Sequence, residues 1–400
     1  MPYHLIRPLL FSLDAETAHR LSLRLLNLFG DWLPAPAPVD PAPQPVEVMG
    51  LRFPNRVGLA AGLDKNGEVI DALARWGFGF LEIGTVTPRP QPGNPRPRMF
   101  RLTQKEAIIN RMGFNNDGVE KLLANCRAAR YDGILGINIG KNFDTPIEAA
   151  TGDYLLAMEA VYPHASYITV NISSPNTENL RTLQSDEALE TLLSALLLRR
   201  EELADRHGKR VPLALKIAPD LKPLQVQGIA DAVRRHRIDA LIATNTTISR
   251  EGVVGEAGAE QQGGLSGTPL FALSTDIVRQ FAALLGGEVP IIATGGIMSG
   301  EDARAKLEAG ASLVQIYSGL VFRGPNLVRD CVAATAQWQP PLVDEDVHLS
   351  GAPVPEEDAL AAGAPDALPE GDAPQTPIEA AAPAAAESIS DLPATTPPTP

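Results

Sequence analysis

The sequence predicts an α/β chain built on a (β/α)8 TIM barrel, and three observations predict it. Eight short apolar runs alternate with helical patterns between residues 46 and 337. Those runs are almost continuously apolar, as in a parallel sheet covered on both faces. Each run ends in polar or glycine-rich chemistry, and a barrel carries its site where strands enter their following loops. A doubly wound open sheet shares the alternation. It would present a GxGxxG turn if it bound a dinucleotide, and the chain has none.

The expected elements follow in chain order. Residues 1–33 are leucine-rich with interspersed charges, and read as an amphipathic helical hairpin with helices over 5–11 and 15–29, where Ser12 and Asp14 offer N-cap oxygens. A Pro/Ala linker, 34–45, separates the hairpin from a barrel over 46–340. The barrel strands are expected at 57–61, 80–84, 134–138, 167–171, 211–216, 240–244, 290–294 and 313–317. The clearest helices are expected at 117–129, 186–205, 223–236, 270–285, 300–309 and 325–337. Residues 341–400 are rich in Pro, Ala, Asp and Glu and hold no Phe, Trp or Tyr. Such a segment buries too little apolar surface to offset the entropy of ordering, so a disordered acidic tail is expected.

Charge and cysteine usage narrow the class. The chain carries 34 Lys and Arg against 48 Asp and Glu. Twelve of the acids and none of the bases fall in 341–400, so the remainder is nearly neutral, with 34 basic and 36 acidic groups. That balance argues against nucleic-acid binding through an electropositive face. Cys126 and Cys331 are too few for a disulfide framework or a locally ligated iron–sulfur cluster, and two buried thiols are expected. The six His show no HxH or HExxH spacing, so no metal is expected. No apolar run reaches the ~18–20 residues that span a bilayer, and no export signal is expected.

At the strand ends stand AAGLDK, IGTVT, NIGKN, NISSPN, KIAPD, TNTT, TGGI and YSG. Asn110, Asn138, Asn171, Asn176 and Asn245 offer both donors and acceptors, which suits a flat heterocycle with alternating carbonyl and N–H groups. Lys216 interrupts an apolar strand, where an ammonium is costly unless an anion meets it. With Lys65 it implies an anionic ligand or a charge that develops during reaction. Gly295-Gly296 and Ser318-Gly319 fit a phosphate cradle, because bare glycines let backbone N–H groups approach phosphate oxygens.

Other matches fail. Gly136-Ile-Asn-Ile-Gly140-Lys141-Asn142 is one residue short of a P-loop and lacks its final Ser/Thr. Gly264-Leu-Ser266-Gly267 is not a GxSxG elbow. The sequons at Asn171 and Asn245 lie at expected buried strand ends.

With these residues in view, the chain resembles the dihydroorotate dehydrogenases of the membrane-associated, quinone-reducing class (class 2). The motifs that carry the likeness are GLAAGLDKNGE (58–68), EIGTVTPRPQPGNPRPR (82–98), INRMGFNN (109–116), GINIGKN (136–142), NISSPNT (171–177), KIAPDL (216–221), IATNTT (242–247), GGLSG (263–267) and LVQIYSG (313–319).

The resemblance implies oxidation of (S)-dihydroorotate to orotate in de novo pyrimidine biosynthesis, with hydride passed to flavin mononucleotide (FMN) and electrons to a membrane quinone. It places Ala61, Gly62, Leu63, Asp64, Lys65, Thr85, Asn138, Asn171, Lys216, Thr244, Gly267, Gly296, Tyr317 and Ser318 at the FMN. Lys65, Asn110, Arg111, Met112, Gly113, Phe114, Asn171, Asn176, Asn245 and Thr246 are placed at the substrate. Ser174 matches the catalytic base, with Thr177 and Phe114 shaping its proton relay. By the chemistry, Lys216 would meet negative charge at the flavin N1/O2 edge, and Lys65 the orotate carboxylate. Serine rather than cysteine at 174 separates this class from the soluble enzymes, one type of which recruits an iron–sulfur partner; no such partner is expected here. Residues 1–33 are expected to hold the protein peripherally at the cytoplasmic face of the cell inner membrane.

Two features depart from the family pattern. Residues 341–400 have no counterpart, and Met298 stands where an acidic residue is common. The competing reading is a non-redox phosphate-binding barrel, an isomerase or an aldolase with a Schiff-base lysine at 216. The tail's composition makes it dispensable for chemistry. Truncation after about residue 340 should leave melting temperature and turnover unchanged, and a large loss of either would show that it docks on the core.

Overall fold

The computed structural model describes residues 3–32 and 37–340; the expected tail at 341–400 and residues 34–36 of the linker lie outside the described residues. Among the described residues, helices α1 (Tyr3–Ser12) and α2 (Ala15–Phe29) precede a hairpin of β1 (Val46–Val48) and β2 (Leu51–Phe53). There follow β3 (Val57–Leu59), α3 (Ile70–Ala74), β4 (Phe80–Val86), β5 (Met99–Leu102), β6 (Ala107–Asn110), α4 (Val119–Ala128), β7 (Ile134–Ile139), α5 (Ala150–Val161) and β8 (Tyr167–Asn171). The chain continues through α6 (Asp186–His207), β9 (Leu213–Ile217), α7 (Pro223–Arg235), β10 (Ala240–Ala243), β11 (Gly264–Gly267) and α8 (Phe271–Leu285). It ends with β12 (Ile291–Thr294), α9 (Gly300–Glu308), β13 (Leu313–Ile316), α10 (Ser318–Arg323) and α11 (Asn326–Thr335).

Eight of these strands close a parallel barrel in the order β3, β4, β7, β8, β9, β10, β12, β13, with β13 pairing back onto β3. All eight expected strands are present within two residues of their bounds. The antiparallel sheet β5–β6–β11 is an addition that periodicity alone did not reveal.

The barrel interior is layered. At its base, Phe53 from the β1–β2 hairpin meets Phe80 edge-on at 5.1 Å, and Phe80 meets Tyr167 at 6.3 Å. Glycine on neighbouring strands makes this possible. A Cβ at Gly58 would lie 2.2 Å from the Phe80 ring, and one at Gly136 2.2 Å from the Tyr167 ring. Above the aromatics lies a polar layer around Glu82, which has no solvent exposure. Its carboxylate accepts from Asn138 Nδ2 at 2.8 Å, Tyr167 OH at 2.9 Å and Gln315 Nε2 at 2.7 Å. Four strands are thereby tied across the barrel axis.

The N-terminal helices pack on this unit. Asp14 caps α2 by accepting from Thr17 N at 2.9 Å, whereas Ser12 turns back to Leu9 O. Glu16 forms a buried two-point pair with Arg98, 3.0 Å to Nε and 2.9 Å to Nη2. Arg98 also donates to Pro92 O and Asn94 O. Although burial works against ionisation of Glu16, Arg98 and Arg96 outweigh it and hold the carboxyl below its usual range. Arg101 reaches the α1 carboxyl end at Leu10 O and Phe11 O, and Tyr3 OH donates to Val321 O at 2.6 Å. The outward side of the pair is apolar: Leu5, Leu9, Leu28 and Phe29 are exposed, and Trp32 is 86% exposed. Among the described residues no helix is long and apolar enough to cross a membrane. Cys331 is buried as expected, but Cys126 is only partly so; both are free thiols.

Removing the Glu82 carboxylate would leave three buried donors without an acceptor, at about 1–3 kcal/mol for each group that water cannot reach. Glu82→Ala should therefore unfold at least ~5 °C earlier in a thermal melt. A shift of less than a degree would show that the layer is dispensable.

Candidate functional site

The carboxyl ends of the barrel strands surround a cleft with about 1090 Å³ free of atoms, its open mouth included. Twenty-one of the residues singled out from the sequence line it: Ala61, Gly62, Lys65, Thr85, Asn110, Met112, Gly113, Phe114, Asn171, Ser174, Asn176, Lys216, Thr244, Asn245, Thr246, Gly267, Gly295, Gly296, Tyr317, Ser318 and Gly319. Leu63, Asp64, Arg111 and Asn138 do not. Leu63 is part of the apolar core. Asp64 accepts from Glu68 N and Val69 N, both at 2.8 Å, and so shapes the loop after β3; burial pushes its carboxyl up to about 6 despite those donors. Arg111 points away, donating to Gln261 Oε1 at 3.0 Å and Pro97 O at 2.9 Å and lying over the Phe100 ring. Asn138 stands behind Thr85, between the cleft and Glu82.

Amide chemistry dominates the wall. Thr85 Oγ1 donates to Asn138 Oδ1 at 2.6 Å, and Asn171 Nδ2 donates to Thr85 Oγ1 at 3.0 Å. Asn171 Oδ1 accepts from Ser173 Oγ at 2.8 Å, and Ser173 Oγ accepts from Asn245 Nδ2 at 2.9 Å. Asn176 Nδ2 lies 3.4 Å from Asn110 Oδ1. These bonds fix the orientations of side chains from the ends of β4, β6, β7 and β8 and from the loops after β8 and β10. Ser174 is buried at the wall, and its Oγ accepts from Asn176 N at 3.2 Å. Nearby in sequence, Thr177 Oγ1 is buried without a hydrogen-bond partner among the described residues.

Two cations face the same space. Neither Lys65 nor Lys216 has a hydrogen-bond partner for Nζ among the described residues. Lys65 is partly exposed at the cleft wall but deep in the fold. That burial, reinforced by the Arg98 guanidinium, brings its ammonium down to about 8. Burial also lowers Lys216, opposed by the Glu82 carboxylate. Lys141, by contrast, is satisfied by Asn142 O and Thr145 O, which explains its presence without any phosphate loop.

On the opposite wall the backbone is bare. A Cβ at Gly296 would lie 2.5 Å from Phe271 Cα, and one at Gly319 2.3 Å from Ile297 O. Met298 is buried in the apolar cluster that also holds Phe322 and Met112. Its N–H donates to Asp302 Oδ2 at 2.9 Å, so an acid four residues later supports this loop. Sequence reasoning missed Ser266, which accepts from Ser318 Oγ at 2.8 Å, and the wall residues Thr294 and Gln315. Ser266 stands inside the quoted GGLSG motif. Gln315 and Glu82 carry the same readable signal as Lys216, a polar residue within an apolar strand.

The family profile described as dihydroorotate dehydrogenase matches residues 45–335. This chain belongs to the dihydroorotate dehydrogenase family. It is 67% identical over 338 residues to the dihydroorotate dehydrogenase (quinone) of Aromatoleum aromaticum, covering 84% of this chain and 96% of that one. It is 61% identical to that of Thiobacillus denitrificans, covering 84% and 100%. Among solved structures, DHODH of Eimeria tenella in complex with ferulenol matches with a TM-score of 0.74 at 38% identity, covering 80% of this chain and 90% of that one. Its ligand-free form matches at 0.75 and 39%, covering 81% and 94%. The dihydroorotate dehydrogenase family is flavin-dependent. The site residues fit such a group: two unpartnered ammonium groups, a glycine-lined wall and a buried, unpartnered Gln315 Oε1.

Proposed function

We propose that this protein oxidises dihydroorotate to orotate in pyrimidine biosynthesis and delivers the electrons to a quinone. The observation that carries this reading is one cleft in which Ser174, four Asn amides and two unpaired lysines converge, in a chain 67% identical to a dihydroorotate dehydrogenase (quinone).

FMN is the flavin this cleft favours, with Ala61, Gly62, Lys65, Thr85, Asn171, Lys216, Thr244, Gly267, Gly296, Tyr317 and Ser318 around it and the Gly295–Gly296 turn at its phosphate. When bound, it supplies the hydride acceptor and the electron path to the quinone. The chain's own residues do the rest. Asn110, Asn171, Asn176 and Asn245 present donors and acceptors to the pyrimidine ring, and Lys65 pairs with its carboxylate. Ser174 Oγ takes the proton from C5, α to a carbonyl. A serine hydroxyl is a weak base, so the proton must pass onward. The likeness gives Thr177 a part in that relay, and its Oγ1 is left without a hydrogen-bond partner among the described residues. Lys216 offers positive charge from a buried position, where it acts most strongly.

The exposed apolar side of α1 and α2 supports peripheral attachment at the cytoplasmic face of the inner membrane, with the apolar side chains lying in the headgroup region. Met99, Ile108 and Met112 belong both to the cleft wall and to the cluster that includes Phe11 and Ala15, which favours an apolar quinone path beneath the helices.

Dihydroorotate-driven reduction of a long-chain quinone by the full-length protein tests the activity. Ser174→Ala should retain flavin and bind orotate while flavin reduction slows by ~10²–10⁴-fold. Near-normal reduction would remove Ser174 from the mechanism. A second expectation follows from Lys65. Its ammonium is the form that attracts a carboxylate, and it is lost as pH rises through about 8. Orotate affinity, read from the flavin spectrum, should be flat below that pH and weaken roughly tenfold per unit above it. Lys65→Met should bind weakly with no such dependence, and an unchanged profile in that variant would exclude Lys65 as the carboxylate partner.

A further inference from the structure

We propose that Arg181 is a positioning residue for proton abstraction, clamping the loop that carries Ser174 to the two neighbouring strand-end loops. The inference rests on the reading of Ser174 as the base. Arg181 lies in a short 3₁₀ turn, Leu180–Gln184, and does not line the cleft. Its guanidinium makes one contact with each of three loops. Nε donates to Ser173 O at 3.0 Å, in the loop after β8. Nη2 donates to Thr246 O at 2.9 Å, in the loop after β10. Nη1 pairs with Asp220 Oδ2 at 2.8 Å, in the loop after β9.

Asp220 completes the clasp by accepting from Ile248 N at 3.1 Å and from Thr247 Oγ1. Gln184 anchors the same turn to the end of β9, accepting from Ala218 N at 3.0 Å. The groups held are the backbone of Ser173, adjacent to Ser174, and of Thr246, adjacent to Asn245. The Ser173–Asn245 side-chain bond bridges these loops on the cleft side and the guanidinium bridges them from behind. A planar fork reaches three oxygens in different directions, which a lysine ammonium on a flexible stem does less well. Loss of the clasp frees Ser174 by a fraction of an ångström to an ångström, a displacement that costs up to ~10² in rate.

The test combines single-turnover flavin reduction by dihydroorotate with hydrogen exchange in the holoenzyme. Arg181→Met should keep its flavin and reduce it about 10- to 100-fold more slowly, with Arg181→Lys between it and the parent. In the Ser174→Ala background, Arg181→Met should add almost nothing, because a group that acts through the base has no effect once the base is gone. Amides in 172–178 and 245–249 should exchange at least about tenfold faster in Arg181→Met, with those of β3 and β13 unchanged. Parent-like exchange and reduction in Arg181→Met, or a double variant slowed by the product of the single effects, overturns the proposal. Should Arg181→Met not fold, Asp220→Asn, which removes the charge and one of the two acceptor oxygens, is read in the same way. Failure of the parent to reduce its flavin with dihydroorotate would refute the activity instead, and the exchange comparison would still decide whether Arg181 holds the loops.

Discussion

Glu82 is a carboxylate inside a barrel, and low-dielectric surroundings tolerate it only with donors on every side. Its partners come from β7, β8 and β13, three strands that are not all its neighbours, so the bonds form only when the barrel is closed in one register. A one-residue slip of any of them would turn the partner outward. The layer also divides the interior. Below it Phe53, Phe80 and Tyr167 exclude water; above it the polarity carries on through Asn138 to Thr85 and Asn171 at the cleft floor. The negative charge also sits beneath Lys216 and works against the burial that would neutralise it. Fold closure and site electrostatics thus share one side chain.

A second tie works from outside. Glu16 brings α2 to Arg98, and Arg98 holds the turn at Pro92 and Asn94. Asn94 in turn donates to Asn176 O at 3.3 Å. The helices that offer an apolar face to the exterior are therefore joined, through two side chains, to the loop that bears the candidate base. Removing one partner of so buried a pair leaves an uncompensated charge, which is why such a contact makes the hairpin part of the barrel's own packing.

The barrel was legible because burial on both sides of each strand writes itself as a continuous apolar run, and the strand ends were legible because a site interrupts that run with amides and glycines. What was missed has identifiable physical causes. Helix α3 spans only Ile70–Ala74, too short to show a period. Helix α5 buries Ala150, Tyr154, Ala157, Met158 and Val161 but also carries exposed Leu156, which blurs its amphipathic stripe. Strand β11 finds β6 across more than 150 residues, which no local pattern records, and β5 joins the same sheet through a short hairpin to β6. The likeness grouped residues 110–114 together at the substrate, yet alternation at the end of an extended strand sends Asn110 and Met112 to the cleft and Arg111 to the other side. Asp64 shows the same limit: a polar residue in a site motif can serve the loop's backbone alone.

The glycine–aromatic contacts at the barrel base bear on how such a sequence can drift over generations. Gly58 and Phe80 occupy one volume, as do Gly136 and Tyr167, with 2.2 Å between the ring and where a methyl would begin. A larger residue at either glycine is admissible only after its ring has shrunk, while a ring that shrinks first opens a void that weakens the core. Each route crosses a less stable intermediate, so these positions should change together or stay as they are. Tyr167 is the more confined of the two rings, since its hydroxyl is also committed to Glu82. A single hydrogen atom at position 136 is thereby linked, through an aromatic ring, to the carboxylate on which the barrel closes.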